Sequence, residues 1–259
     1  MMKFSLEGRT YVVMGVANKR SIAWGIARSL HEAGARLIFT YANERFEKPV
    51  KDLVSTLEGQ EALFYECDVT NDEAVNATFK QIGEDVGTIH GLAHCIAFAD
   101  KEDLKGEFVE TSRDGFLLSQ NISAFSLVAV TRAAEKLMID GGSIVTMTYL
   151  GGERVVQNYN VMGVAKASLE ASMKYLANDL GKRNIRVNAI SAGPIRTLSA
   201  KGIGDFNSVL KQIEEKAPLR RTVTQEEVGD TAYYLMSDLS RGVTGETIHV
   251  DSGFNILGV

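Results

Sequence analysis

The chain has 259 residues, 45% of them hydrophobic, enough to bury a large core within one α/β domain spanning 1-259. Its 28 Lys and Arg stand against 33 Asp and Glu, and a net charge of -5 without a long basic run argues against nucleic-acid and anionic-membrane partners. Small molecules, or further copies of the chain, are the expected partners. Cys67 and Cys95 lack CxxC spacing, so neither a disulfide framework nor a metal site is indicated, and a reducing, cytoplasmic setting is expected.

The segment MMKFSLEGRT has no apolar h-region, so a secretion signal is not expected. Thr10 to Val16 (TYVVMGV) is the short apolar run of a central parallel strand. It leads through Gly15, Ala17 and Asn18 to Ser21, a natural N-cap, after which Ile22, Ile26 and Leu30 recur every four residues until Gly34. A strand, a glycine turn and a helix N-terminus suit a dinucleotide pyrophosphate, because backbone amides and the helix dipole favour an anion there. The full G-x-G-x-x-G fingerprint is absent, and an ordinary strand-to-helix connection is the competing reading.

A second strand, Arg36 to Tyr41, is followed by Ala42, Asn43, Glu44 and Arg45 where an acidic ribose ligand is expected; Asn43 serves equally as a helix cap. The third strand, Ala62 to Cys67, delivers Asp68 and Val69, and a helix capped near Asn71 carries Val75, Phe79 and Ile82. Asp68 suits either an adenine amino group or a local backbone cap. Ile89 to Ala97 is the fourth strand; His94 within it reads as a structural histidine, since no carboxylate or nucleophile is visibly paired with it. Gly115 to Thr131 carries no charge but contains Ser119, Gln120, Asn121, Ser123 and Ser126, so it is a helix buried in the core or between subunits and a poor membrane span.

Ser143 to Thr148 is a β-branched strand, and the helix after it carries Tyr159 and Lys166, seven residues apart. That interval is almost two helical turns, so both side chains leave one face about 10 Å apart along the axis. Tyr149, just past the strand, approaches the same space. Arg186 to Ile190 forms a sixth strand ending in Ser191-Ala192-Gly193-Pro194-Ile195-Arg196-Thr197, and Leu198 to Phe206 reads as a lid or as an ordinary surface loop. A capping box from Thr224 to Glu227 opens the helix with Val228, Ala232, Leu235 and Met236, and Thr247 to Val250 completes the sheet. Alternating strands and helices predict a Rossmann-like, doubly wound parallel sheet flanked by helices, with the candidate residues at its carboxyl edge.

Gly15-Val16-Ala17 through Ser21-Ile22-Ala23, the Cys67-Asp68-Val69 corner, His94 to Ala99, Tyr149 with Tyr159-x6-Lys166, and Ser191 to Thr197 together resemble the bacterial enoyl-acyl-carrier-protein reductases of the short-chain dehydrogenase/reductase superfamily. The likeness covers nearly the whole chain, and its most specific element is the Tyr-x6-Lys interval, since ketone-reducing relatives typically carry Tyr-x3-Lys. It implies reduction of trans-2-enoyl thioesters on acyl carrier protein in fatty-acid elongation, by a homotetramer, without metal. It further implies a catalytic set of Tyr159, Lys166 and Tyr149, and cofactor contacts from Gly15, Ser21, Ile22, Asp68, Val69, Ile96, Ala97, Lys166, Ile195 and Thr197. Ala99, Tyr149, Tyr159 and Met162 would line the substrate site, with a substrate loop at 196-206. NADH is favoured over NADPH because Ala42 to Arg45 lacks the basic cluster of NADPH-preferring members. Many members carry glycine where Ala97 stands. The competing readings are a carbonyl reductase of the same superfamily and a redox-sensing protein that binds the dinucleotide without turnover.

Overall fold

A computed structural model describes residues 4–59, 61–197 and 206–258. Seven strands, β1 (Thr10–Met14), β2 (Arg36–Tyr41), β3 (Leu63–Glu66), β4 (Gly91–His94), β5 (Gly142–Thr148), β6 (Ile185–Ala192) and β7 (Thr247–Val250), form one sheet in the order β3-β2-β1-β4-β5-β6-β7. Every pairing is parallel. The chain runs outward from β1 to β3 and then returns to pair β4 with the other side of β1, so strand order reverses there and a crevice opens beyond the carboxyl ends.

Side-chain alternation along β1 builds a core on each face. Tyr11 and Val13 enter one cluster with Trp24, Ile26, Phe39 and Val228, whereas Val12 and Met14 enter the other with Phe79, Leu92, Leu127 and Met173. The first face is covered by α1 (Ile22–Glu32), α2 (Glu44–Val54) and α8 (Gln225–Met236). Opposite them lie α3 (Asp72–Val86), α5 (Ser126–Ala134) and α6 (Asn160–Gly181). Two further helices, α4 (Arg113–Gln120) and α7 (Phe206–Lys216), complete the described set.

Asn71 accepts from the Glu73 and Ala74 amides, and Thr224 with Glu227 forms the reciprocal capping box that the sequence predicts. Other boundaries differ. The fourth strand stops at His94, because the Cys95 amide makes the last ladder bond, to Met14, and the chain then turns so that the Phe98 amide donates to Ser123 Oγ. The uncharged stretch is not one helix: a π-helical stretch, Asn121–Phe125, separates α4 from α5. Its Ser123 side chain also donates back to the Phe98 carbonyl. Phe116, Leu117 and Phe125 stay exposed on this unit, so a single chain does not bury both of its faces.

Candidate active site

At the switch point Gly15 follows β1 with φ of +94°, a left-handed conformation that glycine adopts without strain, and a Cβ there would sit 2.1 Å from the Cys95 carbonyl oxygen. Glycine therefore lets the turn after β1 pass close against the backbone that leaves β4, at the edge where the crevice opens. Ser21 is the residue before α1, but its hydroxyl does not cap the helix; it accepts from the Ala17 and Asn18 amides, each at 3.1 Å. That turns the loop back on itself. The first amides of α1, from Ile22 onward, keep the dipole's positive end at the crevice.

One buried polar atom suits a dinucleotide. Asn18 Nδ2 is buried without a hydrogen-bond partner, in the same loop whose backbone the Ser21 hydroxyl shapes. A buried amide donor without an acceptor costs free energy, and a polar ligand in the crevice offers one. Together with the glycine and the helix start, this fits an anionic dinucleotide.

Along the same edge, Asp68 is exposed beyond β3 and Val69 is buried. Asp68 Oδ1 accepts from the Thr70 amide at 2.9 Å and hydroxyl at 2.7 Å, a local turn that holds the exposed carboxylate at the sheet edge. Ile96 is half-buried and Ala97 exposed past β4. His94 is fully buried, with Nδ1 3.0 Å from Thr146 Oγ1 and Nε2 2.8 Å from Ser126 Oγ; burial drives its pKa down to about 3, so it stays neutral as the structural histidine expected. Past β6, the Thr197 amide donates to the Ile195 carbonyl at 2.7 Å, and Arg196 reaches Asn207 Oδ1 at 2.7 Å. Most of the expected loop 196-206, residues 198 to 205, lies outside the described residues.

The aromatic pair sits where β5 meets α6. Tyr149 and Tyr159 pack edge to face with centroids 5.0 Å apart. Tyr159 is the residue before α6 and not part of it, so Tyr159 and Lys166 do not both sit on helical turns. Asn158, with φ of +60°, turns the chain into this position, and Asn160 Nδ2 pins the helix start to the Lys105 and Gly106 carbonyls. Tyr159 joins Met162, Ala165 and Leu104 in a small apolar cluster against which Ala99 and Tyr149 pack. Here the structure gathers all the expected substrate-side residues.

Burial, then Tyr149 and Glu170, holds the Tyr159 phenol well above its ordinary pKa, so it keeps its proton. Lys166 is also buried, and its ammonium donates to the Met147 carbonyl at 2.8 Å. Burial lowers its pKa to about 8. Two features escaped the sequence. Glu170, one turn beyond Lys166, accepts from Thr148 Oγ1 at 2.5 Å and ties α6 to the end of β5. Gly151 lies so close to Tyr159 that a Cβ would come within 2.4 Å of the ring. A Gly-Gly turn after a strand signals a close approach, but not to which ring.

A phenol held protonated and a buried ammonium, beside an anion-fitting glycine loop on a doubly wound sheet, define a dinucleotide-dependent oxidoreductase. Comparison with known proteins narrows that class. The family model described as enoyl-(acyl carrier protein) reductase matches residues 15–255. The enoyl-[acyl-carrier-protein] reductase [NADH] FabI of Bacillus cereus is 76% identical over 253 residues, covering 98% of this chain and 99% of its own. The Staphylococcus aureus protein, named as the [NADPH] enzyme, is 64% identical over 253 residues, with 98% and 99% covered. A crystal structure of the Bacillus cereus reductase with NADP+ and indole naphthyridinone superposes with a TM-score of 0.97 at 76% identity, covering 98% of this chain and 99% of that one. The chain belongs to the enoyl-acyl-carrier-protein reductase family.

Proposed function

We propose that this chain reduces the carbon–carbon double bond of trans-2-enoyl thioesters carried on acyl carrier protein, using NADH, in fatty-acid elongation. The observation that carries the reading is the pairing of half-buried Tyr149 with buried Tyr159 beside the Lys166 ammonium at the carboxyl edge, in a chain of this family. Gly15, Ser21, Ile22, Asp68, Val69, Ile96, Ala97, Ile195 and Thr197 are assigned to the dinucleotide. When bound there, a reduced nicotinamide would supply a hydride for the β-carbon. The chain's own residues do the rest.

As negative charge gathers on the thioester oxygen, Tyr159 donates a hydrogen bond to it. Its phenol is preorganised for this because burial opposes ionisation and Tyr149 fixes the ring. Lys166, which donates to the Met147 carbonyl, would hold the nicotinamide ribose hydroxyls with the cofactor bound, and its charge eases build-up on the phenol oxygen. Ala99, Tyr149 and Met162 give the acyl chain an apolar wall, and the enolate then takes a proton from solvent at its α-carbon, which completes the saturated thioester.

We further assign the protein to the cytoplasm as a homotetramer acting on carrier-bound chains, without metal. The uncovered Phe116, Leu117 and Phe125 are consistent with contact between subunits. The test is to offer the purified protein matched trans-2-enoyl and 3-ketoacyl thioesters with NADH and analyse the products by mass spectrometry. Saturated acyl thioester from the enoyl substrate is expected. Reduction of the 3-ketoacyl substrate alone would replace the reading with a carbonyl reductase, and tight NADH binding without turnover of either would leave a redox sensor.

A further inference from the structure

The first turn of α8 makes a contact that neither the chemistry nor the core requires. Gln225 opens that helix, and its Nε2 donates to the Ser21 backbone carbonyl at 2.5 Å, across 204 positions of sequence. Ser21 is the residue that shapes the glycine loop: its hydroxyl accepts from the Ala17 and Asn18 amides, and its carbonyl also accepts from the Trp24 amide at 2.9 Å. One residue therefore links the loop, the start of α1 and the start of α8.

Two devices hold the donor in place. The Thr224 hydroxyl accepts from the Glu227 amide at 3.2 Å while Glu227 Oε2 accepts from the Thr224 amide at 2.9 Å, and Arg221 clamps the same carboxylate. The helices also meet backbone to backbone. A Cβ on Gly25 would lie 2.5 Å from the Gln225 carbonyl oxygen, and one on Gly229 would lie 2.5 Å from the Gly25 carbonyl oxygen. Packed this closely, α1 and α8 have little room to slide past one another, and the carboxamide stays over Ser21.

We propose that Gln225 is a positioning residue for the dinucleotide: through the Ser21 carbonyl it holds residues 15 to 21 in the form that receives the pyrophosphate, before the cofactor arrives. The inference rests on the assignment of that loop to the cofactor. Its physical basis is preorganisation: a loop already ordered gives up less entropy on binding. Without the carboxamide, Ser21 keeps only its bond to Trp24 as carbonyl acceptor and turns more freely. Its hydroxyl then leaves the two amides for part of the time.

The experiment titrates NADH into the wild-type protein, Gln225→Met and Gln225→Ala, following nicotinamide fluorescence, with steady-state kinetics, thermal melting and amide exchange over residues 15 to 21 alongside. Both variants should raise the Kd for NADH roughly fivefold, the worth of one net hydrogen bond. The loss should fall on KM for NADH more than on kcat, and exchange at Ala17 and Asn18 should quicken. Unchanged Kd in folded variants overturns the inference while leaving the cofactor site intact. Losses of kcat and affinity that simply track a lowered Tm would make Gln225 structural only and overturn it equally. If the wild-type protein binds no NADH, the assignment of the loop fails and the inference falls with it.

Discussion

Tyr159 and Lys166 each carry a property that a sequence motif does not contain. The interval of seven residues announces a phenol and an ammonium near one another, but their states come from burial. Tyr159→Phe removes an oxyanion donor, and losing one costs about 3 to 4 kcal/mol in such sites, so turnover should fall a hundredfold or more with the melting temperature preserved. Near-normal turnover would move the donor role to Tyr149 or to water. For Lys166, burial lowers the pKa from 10.5 to about 8, so the free protein loses this cation as pH rises through about 8. The kcat/KM for NADH should decline above that pH, and Lys166→Met should abolish the inflection. The stability sign runs the other way. Between about 8 and 10.5 the unfolded chain holds the proton that the folded chain has released, so this group's contribution to stability rises with pH across that window.

At the scale of elements, the sheet edge was legible and the packing against it was not. The short apolar run at Thr10 to Val16 and the turn residues at Gly15, Asn71 and Thr224 are local signals, and β1, the α3 cap and the α8 capping box follow them. The contacts that prepare the site join residues far apart in sequence, such as Thr148 with Glu170 and Gln225 with Ser21, and no local pattern announces them. Ser21 illustrates the limit. It stands where an N-cap is expected, yet its hydroxyl bonds the preceding loop because the Ala17 and Asn18 amides come within reach. The π-helical stretch also escaped, since nothing in an uncharged run distinguishes one hydrogen-bond register from another. The Leu150–Gly152 turn yields a prediction at this scale. A methyl at Gly151 would press on the Tyr159 ring, so Gly151→Ala should lower turnover about tenfold to a hundredfold by misplacing the phenol, while NADH affinity changes little. Unchanged turnover would show that the ring position is not set by this turn.

For the whole molecule, alternating strands and helices were enough to predict the doubly wound sheet, and strand order then decided where ligands sit. Quaternary structure is written more faintly. Leu117 and Phe125 are 58% and 46% exposed on a unit without charge, an apolar surface that a monomer in water would not favour. On the proposed assembly sedimentation should report a tetramer, and Leu117→Asp should shift it towards smaller species; a wild-type monomer would contradict the assembly. The proposed preference for NADH rests on the segment Ala42 to Arg45, where Arg45 Nε contacts Asn43 Oδ1 at 3.5 Å. This chain's relatives include proteins named for NADH and for NADPH.

The most direct measurement is therefore the loss of reduced-nicotinamide absorbance on adding a trans-2-enoyl thioester, with NADH and NADPH run in parallel. Turnover with NADH, exceeding that with NADPH, is the predicted result. No turnover with either nucleotide, despite binding of NADH, would contradict the assignment of Tyr159 and Lys166 to enoyl reduction.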